Sequence, residues 1–139
     1  MKVKDVMHKG ATCVEPGTLV KEIATRMRES DFGAIPVKSN GDLVGIITDR
    51  DITCRAFAKS GDIAKMTAED VMTKNVVCCS PDDDIDVAIE VMQEKQIRRL
   101  PVTDSRKTMI GMLSLGDISH KVSKELSGEV LRSVSGHHV

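Results

Sequence analysis

The sequence predicts a mixed α/β (α+β) fold built from two tandem copies of one unit, each with the order strand, helix, strand, strand, helix. The first observation behind this prediction is an internal repeat that covers most of the 139 residues. The second is an amphipathic helical stripe at the same place in each copy. The third is a pair of short apolar runs after each stripe, which is typical of strands.

The repeat is carried by short identical segments. The matched pairs are Asp5-Val6-Met7 with Asp70-Val71-Met72, Cys13 with Cys78, Pro16 with Pro81, Met27 with Met92, Pro36-Val37 with Pro101-Val102, Gly45 with Gly111, and Asp51-Ile52 with Asp117-Ile118. We therefore divide the chain into a first repeat at residues 1–58, a linker at 59–68, a second repeat at 69–122 and a C-terminal tail at 123–139.

Each copy switches from a helical to a strand period. The helical stripes are Val20, Ile23, Ala24 and Met27 in the first copy and Ile85, Ala88, Ile89 and Met92 in the second. Thr18 and Asp83 are the predicted N-caps of these helices. The predicted strands cover 12–14, 34–37 and 43–47 in the first copy, and 76–78, 100–102 and 109–113 in the second. Asn40-Gly41 predicts a tight hairpin turn, and the prolines of the middle strands predict edge strands or strand starts.

A unit of about 60 residues buries too little surface to be more than marginally stable on its own. We therefore expect the sheet of one copy to pack against the sheet of the other. The tail retains apolar residues at Val122, Leu126, Val130, Leu131 and Val134, which predicts a short amphipathic helix.

Composition excludes several classes of function. Apolar residues make up 40% and charged residues 29% of the chain, as in ordinary folded proteins. The formal net charge is -1 and the chain has no Trp or Tyr, which argues against binding to nucleic acid or to an anionic membrane. No apolar run approaches the roughly 20 residues of a membrane span, and residues 1–10 lack the apolar segment of a secretory signal. We expect a cytoplasmic protein.

Catalytic and metal chemistry have weak support in the sequence. The chain has no P-loop, Rossmann glycine pattern or recognisable catalytic arrangement, so we expect no enzyme activity and no required cofactor or metal. Cys13, Cys54, Cys78 and Cys79 lack paired C-x-x-C spacing and are interpreted as structural thiols. A redox or metal role that combines them with His8, His120, His137 or His138 is the alternative. The last two histidines lie at a polar end that we expect to fray.

A hydroxyl residue is followed three positions later by an aspartate where the last strand of each copy ends, at Thr48 and Asp51 and again at Ser114 and Asp117. One interpretation is a capping box alone. The other adds a ligand, because a carboxylate can accept two hydrogen bonds from the vicinal hydroxyls of a ribose and the amides of a helix start attract phosphate.

These motifs resemble the CBS domain, named after cystathionine β-synthase. The resemblance rests on Gly33-Ala34-Ile35-Pro36-Val37 and Gly45-Ile46-Ile47-Thr48-Asp49-Arg50-Asp51, and on Ile97-Arg98-Arg99-Leu100-Pro101-Val102 with residues 111–117. It covers residues 4–122 and is closest in form to a stand-alone tandem pair (a Bateman module), similar to small prokaryotic proteins associated with stress or hypoxia. It implies two repeats packed sheet to sheet about a pseudo-twofold axis, with two ligand clefts between them.

The resemblance also implies roles for individual residues. Asp51 and Asp117 would accept the ribose hydroxyls, and each cleft would borrow the opening segment of the other repeat. Arg98 and Arg99 stand where relatives contact phosphate, so we expect the second cleft to hold a phosphorylated ligand better; Arg50 either helps to close the first cleft or is simply exposed. The implied ligand-binding residues are His8, Thr12, Gly33, Ala34, Thr48, Asp51, Thr73, Val76, Val77, Arg98, Arg99, Ser114 and Asp117.

The function expected from this resemblance is a non-catalytic sensor that binds AMP, ADP, ATP, S-adenosylmethionine or an NAD-like ligand. Alternatives are a redox- or metal-responsive module and a purely structural dimerisation module. We expect a homodimer that forms through the helices flanking the sheets, including 20–27, 85–92 and the helices after Asp51 and Asp117. We expect no nucleic acid or membrane partner.

Overall fold

Both apolar stripes form helices in the computed structural model, which describes residues 1–10, 12–59 and 61–136. Helix α1 covers Val20–Ser30 and helix α4 covers Ile85–Lys95. The buried stripe positions are Val20, Ile23 and Met27 in α1 and Ile85, Ala88, Ile89 and Met92 in α4. The inward position predicted for Ala24 is wrong, because this residue is exposed. The helical period of the sequence is therefore confirmed.

The predicted N-caps of these two helices are wrong. Leu19 caps α1 and Asp84 caps α4, and neither side chain makes a capping hydrogen bond. The first helical amides are satisfied by main chain instead, because the N–H of Val20 donates to the carbonyl oxygen of Met66 and that of Ile85 to Met1, both at 2.9 Å. No side-chain acceptor is then needed at the predicted positions.

A tight hairpin follows α1, as predicted. Strand β2 covers Ala34–Ser39 and strand β3 covers Asp42–Thr48, paired antiparallel. The two turn residues, Asn40 and Gly41, have φ values of 53° and 85°. Positive φ at both positions defines a type I′ turn, whose twist matches that of the flanking strands.

The second repeat forms a related sheet with one more strand. Strand β1 covers His8–Lys9, β4 covers Arg99–Thr103 and β5 covers Met109–Ser114, in the order β1-β5-β4. The proline of β4 lies in an edge strand of this sheet, which confirms the edge position predicted from its missing N–H.

The predicted opening strands at 12–14 and 76–78 are wrong. The chain makes a single parallel bridge in each place, Val14 with Val37 and Cys79 with Val102. A turn follows at once in each copy, since the N–H of Thr18 donates to the carbonyl of Glu15 and that of Asp83 to Ser80. A proline inside each turn has no N–H with which to continue the ladder.

Short helices complete the fold. Helix α2 covers Asp49–Asp51 and continues as a π-helical segment over Ile52–Phe57, α3 covers Ala68–Val71, α5 covers Leu115–Ser119, and 3-10 turns cover Val3–Asp5 and Ile63–Lys65. The predicted tail helix is confirmed as α6, Lys124–Val134, which packs against α4 and α5. The tail prediction for His137 and His138 lies outside the described residues.

The chain divides into two compact units with separate cores. The N unit is Ala11–Val76, and the C unit combines Met1–Gly10 with Val77–Val139. Each unit therefore joins the body of one repeat to the opening segment of the other. The two-repeat α/β fold class predicted from the sequence is confirmed.

Candidate functional site

The two hydroxyl–aspartate pairs form closely similar capping boxes. In the N unit, the Asp51 N–H donates to Thr48 Oγ1 at 3.1 Å and the Thr48 N–H donates to Asp51 Oδ2 at 2.9 Å. Ser114 and Asp117 make the same two bonds at 3.1 and 2.9 Å in the C unit. The capping interpretation is thus confirmed, and each cap occupies only one carboxylate oxygen.

The second oxygen of Asp117 faces the opening segment of the first repeat. His8 Nε2 lies 2.6 Å from Asp117 Oδ1, and the Asp117 side chain is only 12% exposed. Strand β1 fixes this contact because it pairs His8 with Met112. Gly111 permits the approach, since a Cβ at this position would overlap the carbonyl oxygen of His8.

The corresponding oxygen of Asp51 has a different neighbour. Arg55 Nε lies 3.8 Å from Asp51 Oδ1, and the Asp51 side chain is 13% exposed. The Arg55 guanidinium also donates to the Thr73 hydroxyl and the Val71 carbonyl oxygen, each at 3.2 Å. The opening segment again passes close to a glycine, because a Cβ on Gly45 would lie 3.0 Å from the Thr73 carbonyl oxygen.

Sequence reasoning missed three of these residues. Gly45 and Gly111 were matched as repeat positions, but their role in admitting the opening segment was not predicted. The available signal was a glycine inside both copies of a strand, which often marks close approach of another backbone. Arg55 was also missed, although its i,i+4 spacing from Asp51 places the two side chains on one helical face.

The surroundings of the two caps differ in charge. Arg98 comes just before β4 and Arg99 is its first residue. Together with Ser114, they line a cavity of about 530 Å³ in the C unit. The Arg98 guanidinium donates to Ser135 Oγ at 3.0 Å. In the N unit, Gly33 occupies the position of Arg98, and a Cβ there would lie 2.9 Å from a carboxylate oxygen of Asp49.

Other predicted residues are distributed between the units. Thr12, Ala34, Thr73 and Val76 belong to the N unit, whereas Val77 belongs to the C unit and packs against its core. Arg50 is exposed on the first turn of its helix, which agrees with the simpler interpretation of this residue.

Cys79 is buried, and Cys13 and Cys78 are half-buried. Burial raises the pKa of the Cys13 and Cys78 thiols. Burial, with Asp83 and Cys78 nearby, raises the pKa of Cys79 to about 12. Cys54 is exposed. Among residues 1–10, 12–59 and 61–136, no cluster of three or more His, Cys, Asp or Glu side chains has an arrangement suited to a metal ion.

Within the part of the chain that the structure describes, no helix has both the length and the apolar character needed to cross a bilayer.

Comparison with protein families and curated proteins identifies relatives. The family model of the CBS domain matches residues 3–55 and 68–124. The CBS domain-containing protein YhcV of Bacillus subtilis is 34% identical over 138 residues, which is 99% of this chain and 97% of that protein.

Solved structures of similar fold include three with bound groups. Hypoxic Response Protein I with two coordinated zinc ions has a TM-score of 0.80 at 30% identity, covering 88% of this chain and 100% of that one. The complex of CBSX2 with AMP has a TM-score of 0.77 at 25% identity, covering 86% and 94%. The CBS domain pair of MJ0100 with 5-methylthioadenosine and S-adenosyl-L-methionine has a TM-score of 0.79 at 29% identity, covering 87% and 98%.

Proposed function

Since the chain belongs to the CBS-domain family, we propose that it is a non-catalytic regulatory module that binds an adenosyl ligand at its two capped aspartates. The observation that carries this proposal is the pair of mostly buried carboxylates, each with one oxygen held by the cap. The other oxygen of Asp117 faces His8 of the opposite repeat. The other oxygen of Asp51 faces Arg55 of its own repeat, which in turn donates to Thr73 of the opposite repeat.

The geometry suits recognition of a ribose. The cap fixes the carboxylate in orientation, so little side-chain entropy is lost when a ligand binds. A carboxylate accepts several hydrogen bonds and suits the two adjacent hydroxyls of the sugar. In the C unit, His8 already contacts Asp117 Oδ1, so a ribose hydroxyl would share or replace that contact. In the N unit, Arg55 lies beside the corresponding oxygen and donates to the Thr73 hydroxyl.

The relatives support the class of ligand. CBSX2 was crystallised with AMP, and the CBS pair of MJ0100 with 5-methylthioadenosine and S-adenosyl-L-methionine. These ligands share an adenosine moiety and differ in the group at its 5′ end. The residues predicted to complete the two sites are His8, Thr12, Gly33, Ala34, Thr73, Val76, Val77, Arg98 and Arg99.

Regulation follows from binding by mass action. A ligand that binds only the folded state stabilises it, by about 2.7 kcal/mol at a concentration one hundred times its dissociation constant. A ligand that contacts segments of both repeats also stabilises their association within one unit. The concentration of an adenosyl metabolite would thereby change the stability of surfaces available to a partner protein.

Calorimetry with AMP, ADP, ATP, 5-methylthioadenosine and S-adenosylmethionine tests the proposal. We expect at least one to bind, and Asp117→Ala and Asp51→Ala each to weaken binding at their own site about tenfold or more, since hydrogen bonds to charged groups contribute about 1.5–3 kcal/mol. Asp70→Ala is the matched control, because Asp70 accepts the Thr67 N–H at 2.8 Å in another capping box. It should leave affinity unchanged. Absence of binding by all five compounds at millimolar concentration would contradict the proposal.

Self-association is a second part of the proposal. Val87 on α4 is 47% exposed and Phe57, at the end of the π-helical segment, is 75% exposed. Large apolar side chains on the helices predicted to form the interface support a twofold homodimer. Light scattering should give twice the mass of one chain, and Phe57→Glu should shift the population towards the monomer.

A further inference from the structure

The two opening segments meet their capped aspartates in different ways. His8 and Thr73 are equivalent residues, because each directly follows the repeated Asp-Val-Met segment and each pairs antiparallel with the last strand of its unit. The His8 ring contacts Asp117 directly, at 2.6 Å. The shorter Thr73 side chain accepts a hydrogen bond from Arg55, and it is Arg55 that lies beside Asp51. In the N unit, the segment and the aspartate are therefore joined through a guanidinium group.

The helix that follows the cap differs between the units in a way that explains this link. In the N unit it continues through the π-helical segment to Phe57, whereas α5 ends at Ser119. Arg55 consequently lies one helical turn beyond Asp51, where side chains at i and i+4 share a face. The equivalent Lys121 lies past the end of α5 and is exposed. Turns of π-helix are rare and are frequent at functional sites.

The Arg55 guanidinium binds two groups of the opening segment. Its Nη1 donates to the carbonyl oxygen of Val71 and to the hydroxyl of Thr73, each at 3.2 Å. Val71 is the last residue of α3, and the final carbonyls of a helix have no partner within it. Because the guanidinium is planar and rigid, these bonds and the ion pair together fix the segment relative to Asp51.

Arg55 leaves open the oxygen that a ribose would use. Asp51 Oδ2 is held by the Thr48 N–H, so Oδ1 is the oxygen that remains for a ligand. Arg55 Nε lies 3.8 Å from Oδ1, beyond the range of about 2.7–3.2 Å for an N–H···O hydrogen bond. The guanidinium therefore attracts the carboxylate while the lone pairs of Oδ1 stay available as acceptors.

We propose that Arg55 is the positioning residue of the N-unit site. It holds the opening segment of the second repeat against the capped Asp51, and it thereby sets the affinity of this site for the adenosine moiety of a ligand. This inference rests on the proposed function, since it concerns the same site. Because Arg55 acts through the segment, its effect is the same whatever group the ligand carries at its 5′ end.

Calorimetry on the full chain with Arg55→Gln and Arg55→Lys tests the inference, with AMP and 5-methylthioadenosine as probes. An Asp117→Ala background isolates the N-unit site. We expect both probes to lose affinity together, about tenfold in Arg55→Gln, because two hydrogen bonds from a charged donor are lost. Arg55→Lys keeps the charge without the planar fork and should give a smaller loss. If AMP alone binds more weakly, Arg55 contacts the phosphate and the positioning role is wrong.

A double-mutant cycle distinguishes positioning from a general loss of stability. Thr73→Val should weaken binding severalfold by itself, but by less than about twofold in the Arg55→Gln background, since members of one hydrogen-bond network are coupled. Additive losses would overturn the inference. Lys121→Gln is the matched control and should leave the affinity of the N-unit site unchanged. Circular dichroism and thermal unfolding check that each variant folds.

Hydrogen exchange without ligand separates this inference from the proposed function. The Thr73 amide donates to the Ile46 carbonyl at 2.9 Å, and the Gly10 amide donates to Ile110 at 3.0 Å in the C unit. Arg55→Gln should speed exchange at Thr73 about tenfold and leave Gly10 unchanged. Unchanged exchange at Thr73 overturns the inference while the adenosyl site stands. If no adenosyl compound binds the wild type, the proposed function fails, and exchange at Thr73 then decides whether Arg55 positions the segment.

Discussion

The N-unit and C-unit sites share a backbone and differ in what surrounds it. The capping bonds of Asp51 and Asp117 agree within 0.1 Å, because the same orphan amides must be satisfied at each strand-to-helix junction. The residues outside the cap are unlike. The C-unit site has Arg98 where the N-unit site has Gly33, and Leu115 where the N-unit site has the acidic Asp49.

This difference teaches which features of a duplicated unit are constrained by folding. The cap belongs to the backbone, so its loss would destabilise the helix by about 1 kcal/mol in either copy. The side chains that flank each cap make none of the capping hydrogen bonds, so their charge can change without loss of the cap. Under the proposed function, an acidic Asp49 beside Gly33 would disfavour phosphate in the N unit, whereas the two arginines would favour it in the C unit. Divergence after duplication would thus separate ligand classes while the fold is retained.

The largest expected effect concerns the glycines that admit the opening segments. Gly111→Ala should lower the free energy of unfolding by about 3 kcal/mol, since its Cβ would overlap the His8 carbonyl oxygen, which belongs to a paired strand. Gly45→Ala should cost about 1 kcal/mol, because its nearest obstacle is the flexible thioether of Met72. Urea denaturation of both variants measures the difference.

Gly128→Ala is the control for these two variants. It adds the same methyl group where no atom lies within 4 Å, and it should stabilise α6 by up to about 1 kcal/mol. Equal losses for Gly111→Ala and Gly45→Ala would show that the two opening segments are held with the same rigidity, which would contradict this prediction.

The parts of the two sites that depend on local rules could be predicted from sequence. The capping boxes follow from a hydroxyl and an aspartate three residues apart, and the Asn40-Gly41 turn follows from the need for positive φ. The N-caps of α1 and α4 could not, because Met66 and Met1 satisfy the first amides from distant segments. The contact of His8 with Asp117 and that of Arg55 with Thr73 depend on the same non-local pairing.

The two units should also differ, by a smaller amount, in how alkaline pH changes their stability. Cys79 in the C unit occupies the place of Val14 in the N unit, and both form the single bridge that precedes their turn. Because burial raises the pKa of Cys79 from its ordinary 9.0 to about 12, the folded state keeps the proton that the unfolded chain loses. Stability should therefore fall as the pH rises from 9.0 towards about 12, by on the order of 1 kcal/mol per pH unit. Cys79→Val makes the two positions alike and should reduce this slope, while the contributions of Cys13 and Cys78 remain.

The measurement is denaturation at pH 8 and pH 10 for the wild type and for Cys79→Val. The exposed Cys54 supplies the control variant Cys54→Val, which should keep the slope of the wild type. If the free energy of unfolding falls equally in the wild type and in Cys79→Val between these two pH values, the pKa of Cys79 is the same in the folded and the unfolded chain.

The smallest expected effect concerns the salt bridges that anchor the opening segment of the C unit. Lys4 Nζ lies 2.9 Å from Asp82 Oδ1, and the pair raises the pKa of Lys4 and lowers that of Asp82. The N unit has Glu69 and Gly17 at the same positions. Both partners are exposed, so 1 M salt should screen the attraction. It should speed hydrogen exchange at the Val3 amide, which donates to the Asp83 carbonyl, by about twofold or less.

The Ala68 amide provides the internal reference for this last effect, because it donates to the Thr18 carbonyl at 2.8 Å in the corresponding place of the N unit. The hydrogen-exchange rate of the Ala68 amide should change with salt only as much as the rate of an unstructured amide does. Acid should weaken the same charge pair. Because Lys4 lowers the pKa of Asp82, the contribution of Asp82 to stability is present above the ordinary pKa of 3.8 and is lost as the pH falls through the lowered pKa. Lys4→Met should abolish the salt response at Val3. If both amides respond equally in the wild type, the charge pair anchors nothing, and the two opening segments are held by backbone hydrogen bonds alone.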